Sequence, residues 1–153
     1  MNILGIGPRL MIAGGVTLVI LLLLQHFAGF TVVLPSALRL PLGLIGILFF
    51  AVGIYFWFSS LILISSFNKS HRLVTSGVYS LSRNPLYAAF IVFLIPGIAF
   101  ISGNFLILLV SLAMFFVFKL QIGKAEKYLE REFGSEFHQY ARKVSQLIPF
   151  IRL

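Results

Sequence analysis

The stretch "NPLYAAFIVFLIPGIAFISGNFLILLVSLAMFFVF", Asn84–Phe118, contains no Asp, Glu, Lys or Arg. An α-helix needs about 20 apolar residues to cross the hydrocarbon core of a bilayer. The stretch is longer than one crossing and is broken by Pro96 and by the triplet Ser102-Gly103-Asn104. Ser-Gly-Asn is turn chemistry. The reading is a helical hairpin: Leu86–Ile101, a turn, then Phe105–Leu120, with each arm short for a full span.

Two further runs lack charge, Leu10–Leu38 and Leu40–Phe67. They predict a first helix over about 9–27 and a second over about 40–65, joined by a loop at Gly29, Pro35 and Ser36. The first run does not read as a cleavable signal, because no charged cluster precedes it and no small-x-small pattern follows Gln25-His26. Of the 153 residues, 59% are hydrophobic. A soluble domain of this size has too much surface for its volume to hide them. The fold class is therefore all-α: a polytopic integral membrane protein, a single membrane domain over 1–153. It has about four membrane helices, the third and fourth a hairpin over 86–120, plus C-terminal cytosolic interfacial helices over 121–153.

Charge sets the orientation. Twelve Lys and Arg face four acidic residues, a formal net charge of +8. The basic residues gather between helices two and three (Lys69, Arg72, Arg83) and in the tail (Lys119, Lys124, Lys127, Arg131, Arg142, Lys143, Arg152). The loop after helix one has only Arg39. Basic loops stay cytoplasmic, so the multi-pass chain is predicted to keep both termini and its polar segments in the cytosol, with the inner membrane as the site in a prokaryote. The basic excess does not predict nucleic-acid binding, since no aromatic-basic platform accompanies it. There is no cysteine, hence no disulfide or thiolate chemistry. His26 and His138 lack partners at metal spacing, and no metal is expected. Nothing in the chain sets the oligomeric state.

The polar segment 66–85 ends in "HRLVTSGVYSLSRNPLY", His71–Tyr87, and turns at Gly77. In the tail, Ile122, Ala125, Leu129 and Phe133 form one apolar stripe at helical spacing, with Lys124, Lys127 and Arg131 opposite. Glu126 falls inside the apolar arc. A carboxylate there is costly unless paired, so it either pairs with Arg83 or Arg72, snorkels to water, or meets a cationic ligand. Gly134 is expected to end this helix, Ser135 to cap the next, and Phe137, Tyr140 and Val144 to share a face.

These residues resemble the isoprenylcysteine carboxyl methyltransferase family and its short bacterial and archaeal members, relatives of the phospholipid N-methyltransferases. The resemblance rests on "HRLVTSGVYSLSRNPLY" and on the tail "IGKAEKYLEREFGSEFHQYARKVSQLIPFI", and it covers about residues 40–153. It implies a methyltransferase that uses S-adenosyl-L-methionine at the cytosolic membrane face, with 66–85 as the cofactor-binding segment. His71, Leu73, Val74, Gly77 and Tyr79 would line the cofactor, and Asn84, Pro85, Leu86 and Tyr87 match the family's binding tetrad. Arg83 would orient an acceptor carboxylate. Asn84 replaces a His of the eukaryotic enzymes. The family's acidic pair is Ala125-Glu126 here, so Glu126 would serve alone. A basic position four residues earlier is Gln121, with Lys119 or Lys124 as candidate substitutes. The implied partners are membrane lipids and a lipophilic small-molecule or lipidated acceptor.

The same residues have plain structural readings. Tyr79 and Tyr87 suit an aromatic belt, Pro85 a first helical turn, and Arg83 the cytosolic boundary. Phe115, Phe116 and Phe118 read as lipid-facing packing. Two other functions fit the outline: a non-catalytic membrane scaffold, given Ala125 and Gln121, and an NADPH-dependent membrane reductase of related architecture.

Overall fold

The computed structural model describes residues 6–29, 35–70 and 72–149. His71 and Arg152, both singled out in the sequence, lie outside them. Helix α1 is Ile6–Ala28, α2 is Ser36–Ser70, α3 is Pro85–Ser102, α4 is Leu108–Phe133 and α5 is Ser135–Lys143. Four stretches are long and apolar enough to cross a membrane: Ile6–Ala28, Ser36–Ser65, Pro85–Ser102 and Phe105–Phe133. The chain is an all-α polytopic membrane protein.

The turn between α3 and α4 follows the local chemistry. Gly103 takes a left-handed φ of 69°, which glycine reaches without a Cβ penalty. The Asn104 side chain then accepts the Leu106 backbone N–H at 3.2 Å. Inside α3, Ala89–Leu94 widens into a π-helical turn, and Ile95 N–H bonds the Phe90 carbonyl. Pro96, which has no N–H to give, follows directly. Such turns strand a carbonyl; here the Ile91 carbonyl accepts the Ser111 hydroxyl of α4, tying the hairpin arms together.

Helix α1 packs on α4, α4 on α3, and α3 on α2. Lipid tails are as apolar as leucine, so membrane helices associate by close packing rather than by escape from water. Glycine makes the closest approach. A Cβ built on Gly46 of α2 would sit 2.8 Å from the Gly97 carbonyl of α3, and one on Gly97 3.0 Å from the Gly46 carbonyl. On the other side, Gly14 of α1 receives the Met114 side chain of α4, beside the buried Leu10, Val110 and Phe118. Outward positions such as Leu22, Ile62 and Leu120 stay exposed, as a lipid-facing surface requires.

Three expectations change. The helix that crosses the membrane after Asn104 does not stop near residue 120; α4 runs unbroken to Phe133 and carries the membrane span into the polar tail. Ser135 does not cap α5 but is its first residue, with Gly134 at the cap in a conformation (φ 50°, ψ −121°) open to glycine. Phe118 is not lipid-facing: it is fully buried, its ring 5.7 Å from that of Tyr87. Phe116 does face outward.

Candidate functional site

The site lies at the end of the bundle where α2 finishes, α3 begins and α4 leaves the membrane. Three contacts fix this common end. Gly77 reaches back to Leu63 of α2, whose Cδ1 is 3.0 Å from a Cβ built there. Arg9 of α1 donates to Gln121 of α4 at 3.1 Å. Tyr87, on the first turn of α3, meets Phe118 of α4.

Gly77, with φ +60°, opens a short 3-10 turn to Ser80, and the chain then continues without helix through Ser82. There it meets the stretch after α5, pairing in parallel through Ser82 and Ser145. Arg83 N–H donates to the Ser145 carbonyl at 2.8 Å. The buried Ser145 hydroxyl donates to the Leu81 carbonyl at 3.0 Å, and the Asn84 side-chain amide donates to the Gln146 carbonyl at 2.9 Å. The Tyr140 hydroxyl of α5 donates to the Tyr79 carbonyl at 2.6 Å. Four hydrogen bonds thus clasp 79–84 to 140–146. No helix period brings these segments together; only the closing of the tail over the bundle does.

Glu126 of α4 stands under this clasp. Its Oε1 is 3.0 Å from Arg83 Nη2, and its Oε2 accepts the Gln146 side-chain amide at 2.9 Å. Arg83 Nη1 also donates to the Ala141 carbonyl at 3.3 Å. The Gln146 side-chain oxygen in turn accepts Lys119 Nζ at 2.8 Å. Two buried atoms of the ion pair have no hydrogen bond, Arg83 Nε and Glu126 Oε1. Oε1 is close enough to Nη2 for ion pairing but is not aligned with its N–H.

Burial pushes the Tyr79 phenol well above its ordinary value, and the neighbouring Tyr87 adds to this. Burial does the same for Tyr140; Tyr79 adds to the shift and Arg83 opposes it. Both phenols are therefore neutral at physiological pH and serve as donors, not as bases.

Of the residues named from sequence, Tyr79, Arg83, Asn84 and Glu126 come together in this network. Pro85 is buried at the first turn of α3, the place where a missing N–H costs nothing, and Leu86 and Tyr87 follow half-buried. Leu73 and Val74 are half-buried in the non-helical stretch after α2, and Arg72 is exposed. Of the three outcomes open to Glu126, the structure takes the pairing with Arg83. Ala125 packs against the apolar core, and Lys119 is engaged by Gln146. Sequence reasoning missed Ser82, Ser145 and Gln146. Polar residues in a tail carry no periodic signal, and their partners lie some sixty positions away or on another helix. Among the described residues, no group of three His, Cys, Asp or Glu side chains could hold a metal ion.

The sequence pattern of the phospholipid methyltransferase family matches residues 42–136. The chain belongs to that family. The matched span takes in most of α2, the 77–84 segment, α3 and all of α4. Among curated proteins, the chain is 40% identical over 91 residues to the protein-S-isoprenylcysteine O-methyltransferase of Schizosaccharomyces pombe, covering 59% of this chain and 38% of that one. It is 31% identical over 85 residues to a probable protein-S-isoprenylcysteine O-methyltransferase of Oryza sativa subsp. indica, covering 56% and 44%. It is also 32% identical over 118 residues to the nickel-cobalt-cadmium resistance protein of Alcaligenes xylosoxydans xylosoxydans, covering 77% and 53%. The chain therefore spans about half or less of the length of these relatives.

Proposed function

We propose that this protein is a membrane-embedded methyltransferase that uses S-adenosyl-L-methionine and acts at the cytosolic membrane face. The acceptor in this reading is lipophilic: a prenylcysteine-like carboxylate, or another lipid carboxyl or amine. The observation that carries the reading is the meeting of the two polar regions, 77–87 and 119–146, around the Arg83–Glu126 pair at one membrane end. The excess of Lys and Arg in those two regions supports a cytosolic placement.

The residues present fit the cofactor. Arg83 Nε is a buried donor without a partner and Glu126 Oε1 a buried acceptor without a hydrogen bond. A buried donor left without a partner, as Arg83 Nε is, costs about 1–3 kcal/mol; Oε1 is offset in part by its ion pair with Arg83. An α-amino-acid end, carrying a carboxylate and an ammonium, complements both. In this reading Arg83 and Glu126 hold that end, while Tyr79, Tyr87, Leu73 and Val74 supply the half-buried wall for the nucleoside. His71 belongs to the same reading from the sequence.

When bound, S-adenosyl-L-methionine supplies a methyl group on a sulfonium, and its leaving group is neutral. The protein therefore needs no general acid, and a carboxylate acceptor needs no base. This suits a site in which the Tyr79 and Tyr140 phenols stay protonated. What the chain contributes is alignment, which can be worth up to roughly 7–11 kcal/mol, and the exclusion of water by the clasp. The second NH2 group of Arg83 is bonded to the tail carbonyl of Ala141, so the guanidinium is held in one plane while it faces its ligands.

Titration calorimetry on detergent-purified protein with S-adenosylmethionine and S-adenosylhomocysteine tests the reading, and micromolar binding of both is expected. Absence of heat with either at millimolar concentration refutes it. Incubation with methyl-labelled cofactor and a total lipid extract, followed by identification of the labelled product, then names the acceptor. Thermal stabilisation by NADPH in place of either ligand would transfer the reading to a reductase.

A further inference from the structure

We propose that Lys119 and Gln146 form a positioning relay that fixes the carboxylate of Glu126 and, through it, the affinity of the site for an amino-acid-bearing ligand; this rests on the function proposed above. A carboxylate held only by one long arginine can rotate about its terminal bond, which is a broad two-fold torsion. Glu126 is held twice, by Arg83 on Oε1 and by Gln146 on Oε2. The second hold fixes the plane of the carboxylate: Oε2 accepts the amide, and Oε1, ion-paired with Arg83, accepts no hydrogen bond and keeps acceptor capacity for an ammonium.

Gln146 can do this because its own orientation is dictated. Its side-chain oxygen faces the Lys119 ammonium at 2.8 Å and its side-chain nitrogen faces Glu126 at 2.9 Å. A flipped amide would set oxygen against carboxylate and N–H against ammonium. The amide thus passes a cation's preference to an anion without neutralising either, and both bonds are charge-assisted. Gln146 also reports closure of the tail, since its backbone carbonyl accepts the Asn84 side chain from the other half of the site. The tail residue that completes the clasp is the same residue that orients Glu126. Lys119 and Gln146 are positioning residues: neither needs to touch the ligand.

The experiment is a double-mutant cycle on the full-length protein, with Gln146→Leu, Lys119→Met and the pair together. Affinity for S-adenosylhomocysteine is measured by calorimetry, and the thermal midpoint is recorded in the same detergent. Gln146→Leu is expected to weaken binding about tenfold or more, the size of a lost hydrogen bond to a charged group. Lys119→Met should weaken it by a smaller factor in the unmutated background and by none once Gln146 is gone, because it acts only through the amide. Lys119→Met removes an exposed side chain and leaves the clasp intact, so it reads the relay even where Gln146→Leu fails to fold. Unchanged affinity in Lys119→Met, or additive losses in the pair, overturns the relay. Loss of thermal midpoint with unchanged affinity overturns it as well, because a merely structural role moves the midpoint alone. Failure of the unmutated protein to bind would bring down the proposed function and the relay with it; binding by the unmutated protein and by all variants alike brings down the relay alone.

Discussion

At the α2–α3 crossing, Gly46 and Gly97 bring two backbones into contact with nothing between them. At the clasp, Arg83, Glu126 and Gln146 join three segments through polar side-chain atoms. The first contact is held by absence of side chain and the second by side chains that must find one another. In lipid, close packing is the available source of helix affinity. At the boundary, buried charge is tolerated only when each atom is paired. The bundle can therefore be built from interchangeable apolar residues with a few fixed glycines. The clasp depends on individual residues, and it leaves two buried atoms, Arg83 Nε and Glu126 Oε1, without a hydrogen bond.

The largest break should come from Gly46→Leu. Its Cβ alone would meet the Gly97 carbonyl and the Ile101 amide nitrogen at 2.8 Å, and both are backbone. Forced repacking of this kind costs about 1–3 kcal/mol or more, and loss of monodisperse protein on size-exclusion chromatography would show it; a normal elution profile would refute the close approach. Next is Arg83→Ala, which strands Glu126. Since the pair is partly exposed, with side chains at 14% and 22%, the expected stability loss is about 1–3 kcal/mol, below the cost for a fully buried pair. Cofactor binding should disappear, and Arg83→Lys should restore stability better than affinity, because a lysine lacks the planar fork.

Tyr140→Phe removes only the 2.6 Å bond to the Tyr79 carbonyl, and a thermal midpoint drop equivalent to about 1 kcal/mol is expected. It should also flatten the alkaline limb. The Tyr140 phenol is raised above 10.0 in the folded protein, so its contribution is complete below pH 10 and is lost as pH rises through the higher folded value. Unmutated protein should therefore lose midpoint above pH 10 more steeply than the variant; equal slopes would contradict the burial of that hydroxyl. The smallest effect should come from Gly123→Ala on α4, where a Cβ meets nothing within 4 Å. It should be neutral or stabilising by up to about 1 kcal/mol from helix propensity, with no change in ligand affinity. Together with Gly46→Leu, it separates glycines that allow contact from one that does not.

The bundle was largely legible because its signals are local. Charge-free runs, a Ser-Gly-Asn turn and the loop polarity each depend on neighbours in sequence. The run-on of α4 past residue 120 was not legible, since a change from apolar to polar composition does not require a helix to end. In the tail, helical spacing placed Glu126 against the core and proposed Arg83 or Arg72 as partner. Choosing Arg83 required knowing that Arg83 N–H pairs with the Ser145 carbonyl, which holds that residue beside the tail while Arg72 stays exposed.

By itself, the sequence determined a membrane chain with four apolar crossings and two polar regions on one side, because hydropathy and charge act residue by residue. The tertiary structure alone decided that the tail folds back along 82–84, that Gln146 lands between Lys119 and Glu126, and that the two oxygens of Glu126 face different partners. Those outcomes depend on hydrogen-bond directions between segments far apart in the chain, and direction exists only once the backbone is placed.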